Sequence, residues 1–322
     1  MNPFPLLRLL SHEHFIGGPA LAAKLGVSRA SISLALKSVD ELGVEVITAK
    51  GKGYQLGRPI AWLDEVAVAR GLGAQRRFFD LKLFDEIDST NTALMAAAHA
   101  GAPSGQVYAA ERQTAGRGRR GRRWVGELGG TLMFSLLWRF NLGVAALSGL
   151  SLVVGLAVAR ALAQLGVPGV QLKWPNDIVC AEGKLGGILT ELSGEAHGPS
   201  AVVIGIGLNA GLSQANRDQL DQAACDLVAL GYAGDRNQLL AAILLELAEL
   251  LPAFEQHGFA PLAREWEAWH AMQDMPARLL QPNGEVIEGR AAGVLADGCL
   301  RFVTADGERQ VHAGEVSLRR AP

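Results

Sequence analysis

Residues 142–159, LGVAALSGLSLVVGLAVA, carry no charged side chain. A helix made from them is apolar on every side, so lipid or protein must cover it all round. The run holds three glycines and two serines and continues as ARALAQLG, with Arg160 and Gln164. That favours a helix at the centre of a layered core over a membrane span, and the rest of the chain must then supply the layers.

It does. KLFDEIDS (82–89), QVYAAE (106–111), TLMFSLLWRF (131–140), VQLKWP (170–175), GILTELS (187–193) and AVVIGIGLN (201–209) read as strands. In the third, Leu132, Phe134, Leu136 and Trp138 share one face, and Thr131, Ser135 and Arg139 the other. Helices are predicted over 90–100, 146–166 and 237–257, the last capped by Asp235 or Asn237. No internal period is visible. The chain reads as an α+β multidomain protein whose residues 81–272 form a mixed-sheet α/β catalytic domain.

Two smaller pieces flank it. In residues 1–62, PALAAKLGVSRASISLALKSV reads as helix, turn at Gly26, and a second helix capped by Ser28. VEVITAKGKGYQL then reads as a hairpin with Lys50 and Lys52 at its glycine-flanked tip, completing a winged helix-turn-helix. Residues 1–60 hold seven Lys/Arg and four Asp/Glu, +3 locally against −2 for the whole chain, so any DNA contact is local. Ser28, Arg29, Ser31, Ser33, Lys37, Lys50 and Lys52 are the candidate DNA-facing residues; Arg29 and Lys37 are the only basic residues of the second helix. A module kept only for packing or dimer contacts is the alternative. Residues 63–80 read as a linker helix. Residues 273–322 are punctuated by NG, DG and DG, hairpin turns of a small antiparallel barrel.

The N-terminal run MNPFPLLRLLSHEH is too short and too charged for a signal peptide. Cys180, Cys225 and Cys299 are far apart, odd in number and without C-x-x-C spacing. These features predict reduced thiols in a cytoplasm, with no disulfide frame and no protein-held metal site.

The stretch AGRGRRGRRW (115–124) puts five arginines into seven residues, and GRGRRG matches the spacing of a dinucleotide fingerprint. That fingerprint needs a helix opening at its last glycine, but RRWVGELGG follows. Glycine at every second or third residue lets backbone amides and guanidinium groups surround an anion, and leaves the loop mobile until one arrives. A solvated basic surface is the plain alternative.

Four further motifs accompany it: DSTN (88–91), ERQT (111–114), KWPND (173–177) followed by KLGG (184–187), and GIGLN (205–209). Their set and order resemble biotin–protein ligases, and the flanking modules resemble the bifunctional ligase/repressor branch, over essentially the whole chain. The resemblance implies a class II synthetase-like catalytic domain and an SH3-like C-terminal barrel. It implies ATP and biotin as substrates with Mg2+, and as acceptor the biotin carboxyl carrier protein of acetyl-CoA carboxylase. A homodimer on adenylate binding and operator DNA of biotin genes follow, with no membrane partner.

Carried over residue by residue, Ser89, Thr90, Asn91, Gln113, Arg117, Gly118, Arg119 and Lys184 would bind biotin. Arg119, Arg122, Trp124, Asn176, Asn209 and Arg319 would bind nucleotide, and Lys184, Arg119 and Asp177 would be catalytic. The chemistry agrees. A carboxylate becomes an acyl donor by attacking the α-phosphate of ATP, and two anions meeting need fixed positive charge. A ligand-sensing transcription factor with weak ligase activity, and a lipoate-type ligase, are the rival readings.

Overall fold

Gly26, at φ 64°, ends one short helix, and Ser28 starts the next by accepting the Ser31 N–H at 3.1 Å. These turns organise the first of two units into which the chain divides, Met1–Trp62 with Glu127–Gly130. The computed structural model describes residues 2–218, 222–281, 283–314 and 316–320.

In the first unit α1 (Phe4–Leu7), α2 (Gly18–Leu25) and α3 (Arg29–Asp40) precede a hairpin, β1 (Val46–Ala49) and β2 (Gly53–Leu56). Ile32, Ala35 and Val39 recur at helical spacing and are buried with Phe4, Leu6 and Leu21. Lys50 and Lys52 are exposed at the hairpin tip, as are Arg29 and Lys37 on α3. A distant segment joins this core: Leu128 is only 6% exposed within it, and Arg58 pairs with Glu127.

The second unit, Leu63–Gly126 with Thr131–Pro322, opens with α4 (Glu65–Leu72), capped by Asp64. Val68 and Leu72 are buried in the main core, so the expected linker helix is a packed part of this unit. There follow β3 (Asp80–Ile87), α5 (Thr90–His99), β4 (Gln106–Gln113), β5 (Thr131–Phe140), α6 (Leu150–Gln164), β6 (Gln171–Lys173), β7 (Asp177–Cys180), β8 (Gly183–Gly194) and β9 (Ser200–Asn209). Next come α7 (Gln214–Asp218), α8 (Arg236–His257), α9 (Ala263–Trp269), β10 (Pro276–Leu280), β11 (Val286–Val294), β12 (Leu300–Thr304), β13 (Gly307–Val311) and β14 (Ser317–Arg320). Strands β3 to β9 build one mixed sheet in the order β3-β4-β5-β9-β8-β7-β6, parallel between β3 and β4 and antiparallel elsewhere. The last five form an antiparallel sheet in the order β13-β12-β11-β10-β14.

Two-residue periodicity decides what each face of the large sheet meets. Leu132, Phe134 and Leu136 of β5, with Ile204, Ile206 and Leu208 of β9, belong to the same core as α6 and α8. Leu137 and Val203, on the opposite face, pack with Leu94 and Ala98 of α5. The uncharged run is therefore sheltered by protein: Val153, Val154, Leu156, Ala157 and Val158 are fully buried. The helix starts at Leu150 rather than 146 because Gly149, at φ 83°, breaks it from a short 3-10 turn.

One expectation is overturned. Cys180, at the end of β7, forms a disulfide with Cys225 across 45 residues, their Cα atoms 7.0 Å apart, and Cys299 is the free thiol. Spacing rules see only neighbours in sequence. Here the backbone of Lys184 draws the two segments together, bonding Ala223 O at 2.9 Å and the Cys225 N–H at 3.0 Å. The cysteines therefore no longer argue for reduced thiols or for a compartment.

His270, 4% exposed, lies against the Trp266 ring at 4.8 Å, and burial pushes its pKa down to about 4. Unfolded, the ring takes up a proton near pH 6.5 that the folded protein refuses. Stability is thus complete above pH 6.5 and falls as pH drops toward 4, by up to about 1.4 kcal/mol per pH unit. Chemical denaturation at several pH values should show this slope, and His270→Gln should flatten it.

Candidate active site

The GIGLN motif alternates faces: Ile206 and Leu208 enter the core, while Gly205 and Gly207 leave a bare patch on the other side of β9. A Cβ at Gly205 would overlap the Asn91 amide, and one at Gly207 the Trp124 indole. The patch is the floor of a cavity of about 750 Å³.

At one end, Ser89 caps α5 by accepting the Thr92 N–H at 3.3 Å. Thr90 donates its N–H to Gln113 Oε1 at 2.8 Å, and its hydroxyl lies 2.7 Å from that of Ser135. Ser135 donates to Asn91 Oδ1 at 2.6 Å, and Asn91 Nδ2 to Glu191 Oε2 at 2.9 Å. Glu191 in turn holds Arg117 at 2.8 Å. Ser135 and Glu191 were not among the sequence candidates. The sequence signal for Ser135 is a hydroxyl set between the apolar pairs Met133-Phe134 and Leu136-Leu137, and this polar chain explains it. Gly205→Ala should push Asn91 off Ser135 and leave buried polar groups unpaired, at a cost of about 1–3 kcal/mol in stability, read by calorimetry.

The arginine-glycine stretch is a narrow hairpin. Trp124 N–H reaches Gly116 O at 2.9 Å, Gly118 N–H reaches Arg122 O at 2.8 Å, and Arg117 bridges Arg123. Its tip turns through Arg120 and Gly121 at φ 59° and 71°. No helix opens at Gly121, so the dinucleotide reading is excluded. Arg119 donates to Asn176 Oδ1 at 2.8 Å and to the Ala313 carbonyl. Burial, then the Arg120 charge, lower its pKa from the usual guanidinium value, with Asp177 opposing.

At the far end, Lys184 Nζ donates to Asp177 Oδ1 at 2.7 Å and lies 5.9 Å from the centre of the Trp124 ring. Asn209 donates to Lys184 O at 3.3 Å and Cys225 O at 3.1 Å, so its amide nitrogen holds backbone. Trp124 Nε1 is buried without a partner among the described residues. All the biotin, nucleotide and catalytic candidates line this cavity, Arg319 arriving from β14. Of the described residues lining it, eight are cationic (Arg117, Arg119, Arg120, Arg122, Arg123, Lys173, Lys184, Arg319) and one, Asp177, is a carboxylate. The DNA-facing candidates lie on the first unit; Ser28 and Ser31 hydrogen-bond each other at 2.8 Å, and Ser33 bonds the Arg29 carbonyl at 3.3 Å.

The sequence matches the bifunctional ligase/repressor BirA of Salmonella typhimurium at 36% identity over 99% of this chain and 98% of that protein. The chain belongs to the BirA family. Residues 83–209 match the biotin/lipoate A/B protein ligase family, 5–55 an HTH domain, and 277–319 the biotin protein ligase C-terminal domain. The biotin–[acetyl-CoA-carboxylase] ligase of Mycobacterium tuberculosis is 35% identical, covering 79% of this chain and 95% of that protein. The biotin protein ligase of Aquifex aeolicus, solved with biotin and ATP, superimposes with a TM-score of 0.63 at 30% identity, covering 75% of this chain and 99% of that one.

Proposed function

We propose that this chain makes biotinyl-5′-AMP from biotin and ATP, and passes biotin to one lysine of the biotin carboxyl carrier protein of acetyl-CoA carboxylase. The observation that carries this reading is the cavity's combination of hydroxyl and amide groups around Thr90, Gln113 and Asn91 with eight cationic side chains in the same lining. A urea ring offers one carbonyl acceptor and two N–H donors, which Ser89, Thr90, Gln113 and the backbone around Arg117 to Arg119 would satisfy. Lys184 then stands where the biotin carboxylate meets the α-phosphate, and Asp177 holds its ammonium in place. Trp124 offers its indole face to adenine, and the arginine hairpin shields the mixed anhydride from water. The acceptor lysine attacks that anhydride directly, so no covalent enzyme intermediate is needed.

Magnesium fits as a companion of the nucleotide, whose polyphosphate it would neutralise. Asp177, the lone carboxylate of the described lining, is spent on Lys184. Among the described residues no cluster of three or more His, Cys, Asp or Glu is placed to hold a metal.

The chain also represses transcription in response to biotin, through the winged helix. Bound adenylate favours a homodimer, which sets two wings with Lys50 and Lys52 on a two-fold operator in the cytoplasm. The deciding experiment measures pyrophosphate release with biotin and with lipoate, followed by the mass of a carrier domain. Release with biotin alone and one added biotinyl group are expected. No release with biotin, or equal release with lipoate, defeats the reading.

A further inference from the structure

Lys173 ends β6 directly across the antiparallel pair from Asp177. No hydrogen bond joins the two: Asp177 Oδ1 accepts from Lys184 at 2.7 Å, and Lys173 feels the carboxylate only through space. Most cations of the cavity with a clear task are committed in this way, Arg117 to Glu191 and Arg119 to Asn176. Three are not. The charged groups of Lys173, Arg122 and Arg319 make no hydrogen bond or ion pair among the described residues, although all three line one cavity. Burial, then the charge of Arg319, push the Lys173 ammonium down to about 8; the Asp177 carboxylate opposes them, and Lys184 and Arg122 add smaller repulsions. A half-buried amine crowded by like charges is costly to keep unless an anion of several charges relieves it.

We propose that Lys173, with Arg122 and Arg319, receives the β- and γ-phosphates of ATP and holds the pyrophosphate as it leaves. This rests on the ligase reading and assigns Lys173 a task of its own within it. In adenylation a biotin carboxylate oxygen bonds to the α-phosphorus while the bond from that phosphorus to the bridging oxygen breaks. The electron pair departs with pyrophosphate, so new charge appears beside these three cations. In the transfer step the acceptor amine bonds to the acyl carbon and AMP leaves. Pyrophosphate has gone by then, so Lys173 matters in the first half-reaction alone.

Full-length Lys173→Met and Lys173→Arg proteins separate the halves. Pyrophosphate release is followed across a MgATP series at saturating biotin. Chemically prepared biotinyl-5′-AMP is then supplied with a carrier domain to read transfer, and with pyrophosphate to read the reverse reaction. Lys173→Met should lower kcat/KM for MgATP and slow the pyrophosphate-driven reverse reaction, each at least about tenfold, with transfer within about twofold of normal. Lys173→Arg should recover most of the loss. Intact transfer also shows that the variant is folded. Normal adenylation overturns the proposal. Equal loss of both halves overturns it too, since the amine would then serve the acceptor lysine or the fold. A wild-type protein that releases no pyrophosphate with biotin instead sinks the ligase reading itself.

Discussion

Replacing Lys184 by alanine should slow biotinyl-5′-AMP formation by about 100–1,000-fold, as losing a preorganised charge at the reacting centre does. Two effects combine. The ammonium proposed to offset the meeting of carboxylate and α-phosphate is removed. Asp177, whose Oδ1 it holds at 2.7 Å, is left as a bare carboxylate facing incoming anions. Lys184→Arg keeps the charge but not the compact shape, and should fall between the two. Single-turnover pyrophosphate release with saturating biotin and MgATP is the measurement. A Lys184→Ala rate within about threefold of wild type would remove this lysine from the chemistry.

The second large effect concerns stability. Glu111 and Arg236 are 2% and 3% exposed and joined at 2.6 Å. Glu111 also accepts the Leu63 N–H at 2.7 Å, and Arg236 donates to Thr131 O at 2.9 Å. Leu63 and Thr131 are the residues at which the chain re-enters the second unit after each excursion into the first. Glu111→Ala therefore strands a buried guanidinium and unpins a junction, at a cost of about 3–5 kcal/mol. For a unit of this size that lowers Tm on the order of 10 °C. Replacing both partners with apolar residues should cost less than the single change. Calorimetry decides: a single variant within about 1 kcal/mol of wild type would mean that water compensates the charge.

Much of this was legible in the residues because local chemistry repeats it. Apolar runs in 131–140 and 201–209 marked both as strands, alternation within 131–140 gave its faces, and Asp235 caps α8, one of the two caps its position suggested. Turn glycines at 284, 298 and 307 take positive φ where NG and DG predicted hairpins. The cavity residues were readable as motifs, and the structure brings them together. What escaped was whatever depends on two distant segments meeting. The Cys180–Cys225 bond, the Ser135 and Glu191 members of the polar chain, and the burial of α4 all arise from tertiary packing. Periodicity carries no trace of such pairings. The uncommitted state of Lys173 was invisible for the same reason, since KWPND shows a lysine but not who answers it.

Residues 127–130 have a practical bearing on how this protein can be cut. Deleting the first 62 residues removes Phe4, Leu6, Leu21 and Ile32 but leaves Leu128 behind, stripped of the neighbours that bury it. Glu127 loses Arg58 in the same stroke. Such a shortened polypeptide would carry a greasy, charged tether three residues beyond Trp124. A cut that also replaces Leu128 with a polar residue avoids that exposed apolar side chain.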